Sequence, residues 1–310
     1  MAGVRAGSVS RVCDLSNSSS LDRGAKPSCR RKFKLQHLKP NMRRATALVL
    51  TSTLAFSAPT SFAGELCTLI IDAASGDTVL KTGQHCATRV TPASTFKLAI
   101  SVMGFDSGVL SDAKNPSWPY QVGYPDWAGD AWRRDIDPAD WMKVSVFWYS
   151  QQVLKQLGQA RFEKYVEAFG YGNKDVSAVP VKASSSHGVW VMSSLQISPN
   201  EQVSFLRKFV NRQLPVSAHA YEMTATIARQ DMHLDGWRIY GKTGTGSPGQ
   251  DNRYRADQAY GWYVGWATKG TQTLVFARLI QDEKAQKPNA GVRARDQLLE
   301  ELSTASLRLR

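Results

Sequence analysis

Several function classes fall away on what this sequence does not contain. No apolar run reaches the roughly 18 to 20 residues that a spanning helix needs, so an integral membrane protein is not expected. The histidines number five (His37, His85, His187, His219, His233) and show neither i,i+4 nor H-x-H spacing, so no zinc-ligand pattern emerges and no metal is expected. Cysteine is limited to four residues, and there is no internal repeat. Acidic residues are the scarcer charge. Against 26 Asp+Glu stand 39 Lys+Arg, a formal net charge of +13 over 310 residues, which raises the question of a polyanionic partner. With 42% hydrophobic and 21% charged residues, the chain can still bury a sizeable core.

The position of the charge answers the question. Residues 1–63 hold eleven basic and two acidic residues, a local net of +9, whereas residues 64–310 are left with +4. Residues 1–41 are rich in Ser, Arg and Lys without apolar periodicity. Met42-Arg43-Arg44 then heads an apolar stretch, Ala45 to Ala58, that ends in Ser61-Phe62-Ala63. A short basic head, an apolar run and a small-x-small site describe a secretory leader starting at Met42 and cleaved after Ala63. The arginine pairs match a twin-arginine leader only weakly, so the general secretory route is preferred. Leu66-Cys67 lacks a lipoprotein context, and no membrane anchor is expected. Nucleic acid is not expected as a partner, because most of the excess charge leaves with the leader. Cys13 and Cys29 leave too, and an even pair in an exported chain, Cys67 and Cys86, reads as one disulfide.

Residues 64–310 suit one domain. Its sheet part is expected at about 64–92 and 236–310, and its helical part at about 93–235. Cys67–Asp72 and Thr78–Lys81 read as a hairpin about Ala74-Ser75-Gly76-Asp77. Helical periodicity covers Ser94–Phe105, Ser145–Leu157, Ala160–Phe169, Pro199–Val210 and Ser217–Ala228. Strands return at Trp237–Lys242, Ala259–Ala267 and Thr273–Ile280, and Val292–Leu307 closes the chain as an amphipathic helix. Strands at both ends around a helical insert predict an α/β (α+β) fold, with an antiparallel sheet joined by the two terminal segments. Gly244–Gly249 spells GxGxxG, but Pro248 and the polar residues after it open no helix, so a dinucleotide site is rejected.

The chemistry sits in two short motifs. Ser94-Thr95-Phe96-Lys97 follows Pro92, at a helix N-terminus, with Ser94 and Lys97 three apart on one face. A serine hydroxyl needs a neighbouring base, and a lysine can serve once burial favours its neutral form. Lys242-Thr243-Gly244 on a strand offers a cation, a hydroxyl and a gap beside a backbone edge, which suits a carboxylate-bearing substrate. Either motif alone is weak; S-x-x-K followed about 145 residues later by K-T-G is far more specific.

At these residues the chain resembles the penicilloyl serine transferases, and the class D, oxacillinase-type serine β-lactamases in particular. Four further stretches carry the narrower resemblance: Ser145-Val146-Phe147, with Phe147 where the family usually has valine; Tyr171-Gly172-Asn173; Trp190 to Ser198; and Gly261 to Trp266. The resemblance implies a β-lactamase/transpeptidase-like fold and hydrolysis of β-lactam antibiotics in the periplasm, hence antibiotic resistance. It implies Ser94 as the acylated nucleophile and Lys97, carboxylated by CO2 or bicarbonate, as general base. Trp190 would hold the carbamate and Ser145 would relay the proton to the leaving nitrogen. Lys242, Thr243 and Gly244 would face the substrate carboxylate together with Arg295, for which Arg293 competes. Backbone N–H groups of Ser94 and Thr245 would form the oxyanion hole. Phe147 and Tyr171 would lie near the site. The expected state is a monomer or homodimer. The alternatives are a β-lactam-sensing receptor domain that acylates without release, and a D-alanyl-D-alanine peptidase, which would normally show S-x-N at Ser145.

Overall fold

A computed structural model of the chain describes residues 64–177, 188–249 and 254–308. The expected leader, residues 1–63, lies outside the described residues, as does His187. Six strands form one antiparallel sheet: β1 (Gly64–Asp72), β2 (Thr78–Thr82), β3 (Arg229–Leu234), β4 (Trp237–Gly246), β5 (Tyr260–Lys269) and β6 (Gln272–Gln281), in the order β2-β1-β6-β5-β4-β3. β1 pairs with β6, so the first and last strands are joined, as the sequence predicts.

Among the described residues, seven α-helices complete the fold: α1 (Lys97–Asp106), α2 (Pro138–Lys143), α3 (Phe147–Leu157), α4 (Gln159–Phe169), α5 (Pro199–Val210), α6 (Ala218–Ala228) and α7 (Ala290–Arg308). The sheet separates two cores by the two-residue period of its strands. On one face Trp262, Val264 and Trp266 of β5 join Leu69, Ile71, Val275 and Ala277 against the helical part. On the other, Tyr263 and Ala267 join Ile70 and Phe276 beneath Ala294, Leu298 and Leu302 of α7. Gly265 lets β4 and β5 close up: a Cβ there would lie 2.0 Å from the Tyr240 carbonyl oxygen.

Local signals explain the helix ends. Ser198 caps α5, its hydroxyl accepting from Glu201 N while Glu201 reaches back to Ser198 N, with Pro199 in the first turn. Two elements differ from the sequence expectation. The sheet part resumes at Arg229 rather than about 236: Arg229–Leu234 pairs with β4 at the sheet edge and packs Met232 and Leu234 against the core beneath α7. Helix α2 is additional, capped by the Asp137 side chain accepting from Asp140 N ahead of Pro138. Cys67 and Cys86 form a disulfide, with Cα atoms 5.0 Å apart, tying β1 to the segment after β2.

Candidate active site

One wall of the candidate site is the turn that carries Ser94. Residues Ala93–Phe96 form a 3-10 turn that runs straight into α1, so Ser94 precedes the α-helix rather than starting it. Ala93 takes φ of +50°, a costly conformation for a residue with a Cβ, and its N–H is held by the Trp190 carbonyl oxygen at 2.8 Å. Thr91 anchors the approach: its carbonyl accepts from Trp262 Nε1 at 3.1 Å, and its hydroxyl accepts from Met192 N at 3.3 Å and meets Tyr260 Oη. Lys97 Nζ donates to Ser94 Oγ at 3.1 Å. Lys97 has no exposed surface, and burial first, then the nearby Lys242 charge, hold its pKa well below the ordinary lysine value.

Strand β4 forms the facing wall. Gly244 packs against the nucleophile turn so closely that a Cβ would lie 3.0 Å from the Pro92 carbonyl oxygen and 3.1 Å from Thr95 Cγ2. The K-T-G glycine therefore lets the two segments approach without displacing Pro92 or Thr95. Lys242 Nζ donates to the Thr243 carbonyl at 3.2 Å and to its hydroxyl at 3.4 Å. Its pKa falls to about 8, through burial and then the Arg295 charge. Thr245 ties β4 to the start of α7, its hydroxyl donating to Asn289 Oδ1 at 3.1 Å and accepting from Gly291 N at 3.0 Å.

The two competing arginines are now distinguishable. Arg293 is committed to Asp282, with Nη2 donating to Oδ1 at 2.6 Å. Arg295 pairs with the exposed Asp296 and acts electrostatically on Lys242. Arg295 is the residue of the two that adds charge beside β4.

A third wall comes from aromatic and turn segments. Ser145, expected at the start of a helix, instead precedes α3 in a left-handed conformation, φ +62°, and is half-buried. It is framed by Val146 N donating to the Trp141 carbonyl and by Trp132 Nε1 donating to the Val144 carbonyl. Phe147 is buried, its ring 5.4 Å from that of Trp190 and 5.0 Å from that of the exposed Trp127. Trp190 is buried and its Nε1 has no hydrogen-bond partner among the described residues. Tyr171 is buried against Phe96, ring centroids 4.9 Å apart. Asn173 clamps the Trp190 segment in both directions: Nδ2 donates to the Ser194 carbonyl and Oδ1 accepts from Gln196 N. Gly172 makes that possible, since a Cβ would lie 2.0 Å from the Gln196 carbonyl oxygen.

The geometry thus brings Ser94, Lys97, Trp190, Lys242 and Arg295 into one linked cluster. Two participants were not singled out from sequence, Thr91 and Gln202. Gln202 was detectable as a polar residue on the apolar face of α5, beside Val203, Phe205 and Leu206. Among the described residues no group of three His, Cys, Asp or Glu could hold a metal, and no helix is long and apolar enough to cross a membrane.

A model of the penicillin-binding-protein transpeptidase domain matches residues 66–303. Beta-lactamase OXA-9 of Klebsiella pneumoniae is 44% identical over 238 residues, covering 76% of this chain and 86% of that protein. The chain belongs to the class D β-lactamases. Beta-lactamase OXA-1 of Escherichia coli is 30% identical over 270 residues, covering 86% of this chain and 94% of that protein. The crystal structure of the OXA-427 class D β-lactamase superposes with a TM-score of 0.72 at 43% identity, covering 79% of this chain and 99% of that one. In this class D chain the antiparallel sheet carries K-T-G and the helical part carries S-x-x-K, the division expected from the sequence.

Proposed function

We propose that the protein hydrolyses the β-lactam ring of penicillins and related antibiotics through an acyl-enzyme on Ser94, conferring β-lactam resistance. The observation that carries this reading is the 3.1 Å contact between Lys97 Nζ and Ser94 Oγ, with the lysine wholly buried. Relatives named as β-lactamases support it.

In this reading Ser94 Oγ bonds to the lactam carbonyl carbon as its proton leaves toward Lys97. The ring C–N bond breaks, and Ser145 passes a proton to the departing nitrogen. Water then hydrolyses the serine ester, returning Ser94 and releasing the opened product. Backbone N–H groups of Ser94 and Thr245 receive the negative charge on the carbonyl oxygen. Lys242 and Thr243, with Arg295 adding field, hold the substrate carboxylate beside the gap at Gly244.

Carboxylation of Lys97 by CO2 or bicarbonate would supply an oxygen base in place of the amine. The residues fit that group. A neutral amine is required for the addition, and burial favours neutrality. Trp190 Nε1, buried and without a partner among the described residues, is a donor suited to a buried anionic oxygen. Phe147 adds a ring to the same apolar wall, and Tyr171 supports the turn from below. Export to the periplasm after cleavage at Ala63, and a monomeric or homodimeric state, complete the proposal; no metal is invoked.

The test is purified mature protein with a chromogenic cephalosporin, followed by mass spectrometry of Ser94. Many turnovers per enzyme, sustained by bicarbonate and passing through an adduct on Ser94, are expected. One burst equal to the enzyme concentration would favour a β-lactam sensor. Release of D-alanine from a D-alanyl-D-alanine peptide without β-lactam turnover would favour a peptidase.

A further inference from the structure

We infer that Gln202 is a positioning residue for the nucleophile: acting through the Thr95 hydroxyl, it fixes the gap between the Ser94 turn and β4. It thereby sets the spacing of the Ser94 and Thr245 backbone N–H groups. This inference rests on the reading of Ser94 as nucleophile.

Gln202 is 1% exposed, on the buried face of α5. A buried amide costs free energy unless it is hydrogen-bonded, and an aliphatic side chain would suit this apolar face without that cost. Its bonds lead to Thr95 beside the nucleophile and to Tyr171. Nε2 donates to Thr95 Oγ1 at 2.9 Å, and Oε1 accepts from Tyr171 Oη at 3.5 Å. Thr95 Oγ1 in turn donates to the Pro92 carbonyl at 2.6 Å, an oxygen that also accepts from Thr95 N at 3.2 Å. The same groups face β4: a Cβ on Gly244 would come 3.0 Å from the Pro92 oxygen, 3.1 Å from Thr95 Cγ2 and 3.2 Å from Thr95 N. Thr95 is therefore held between Gln202 on one side and Gly244 on the other, and Ser94 is its neighbour in the chain. Through this residue α5 is hydrogen-bonded to the Ser94 turn.

Loss of a single oxyanion donor costs about 10²- to 10³-fold, so loosening a pair that stays in place is expected to cost about tenfold. Both acyl transfers use the same hole, so both should slow together. Gln202→Met keeps the volume and removes the donor. Per Ser94 titrated by mass spectrometry, acylation and deacylation are expected to fall by about the same factor, about tenfold. The ¹³C signal of Lys97 labelled with ¹³C-bicarbonate should persist. Thr95→Val should reproduce the loss, and the double variant should be no slower than the slower single. Unchanged rates per titrated Ser94, or losses that multiply in the double variant, would overturn the inference. Gln202→Glu keeps the test open if the Met variant folds poorly. A protonated Glu regains an O–H donor, so its rate relative to the unsubstituted protein should rise as pH falls; a ratio flat with pH would contradict the role. Absence of any adduct on Ser94 in the unsubstituted protein would instead remove the nucleophile reading itself.

Discussion

Two buried lysines stand on opposite walls of this site and differ in what burial does to them. Lys97 opens α1, is wholly enclosed and reaches the Ser94 hydroxyl; its pKa is driven far down. Lys242 lies within β4, is 5% exposed and reaches the Thr243 carbonyl and hydroxyl; its pKa settles near 8. The cations form a series in which Arg295 depresses Lys242 and Lys242 depresses Lys97. In the proposed mechanism the innermost lysine, held neutral, acts as a base, while the next, with a pKa near 8, keeps most of its charge at neutral pH and binds the substrate anion. Depth and neighbours thus give two residues of the same type different charge states, the basis of the two roles proposed for them.

Removing the inner lysine should have the largest effect. Lys97→Ala is expected to lower turnover about 10³-fold, the scale of general-base catalysis, and to leave an acyl-enzyme that does not release. Mass spectrometry after mixing with substrate checks it; normal release would break the contrast. Lys242→Ala should cost about 10- to 10²-fold in kcat/KM for carboxylate-bearing β-lactams, the worth of a charge-assisted hydrogen bond. In the unsubstituted protein kcat/KM should fall as pH rises through about 8, because Lys242 then loses the charge that binds the carboxylate. Arg295→Ala removes a like charge, so the Lys242 pKa should rise and this alkaline limb should move to higher pH. The limb should stay in place in Arg293→Ala, which breaks the Asp282 pair instead. Smallest for catalysis is the disulfide. Cys67→Ser with Cys86→Ser should lower stability by about 3 kcal/mol in thermal unfolding while the pH profile at low temperature is unchanged.

These contrasts mark how far the sequence could be read. S-x-x-K and K-T-G were legible because each is local, and the strand–helix–strand order located them on opposite walls. The hairpin and its cysteines were legible for the same reason. Ser145 was placed on a helix from periodicity, which carries no sign of its left-handed backbone. β3 escaped because only Met232 and Leu234 of its six residues are apolar, too short an alternation to stand out, and α2 escaped although Asp137-Pro138 is a helix-start signal. Arg293 and Arg295 are indistinguishable by type and spacing; the Asp282 contact of the first and the charge of the second beside Lys242 separate them. The Gln202–Thr95 bond spans 107 residues, beyond any local pattern.

The central claim is that burial prepares Lys97, and not Lys242, for reaction with CO2. ¹³C NMR of protein equilibrated with ¹³C-bicarbonate near neutral pH tests it directly. One protected carbamate resonance is predicted, persisting in Lys242→Ala and lost in Lys97→Ala. No such resonance, or one that survives in Lys97→Ala, would contradict the account.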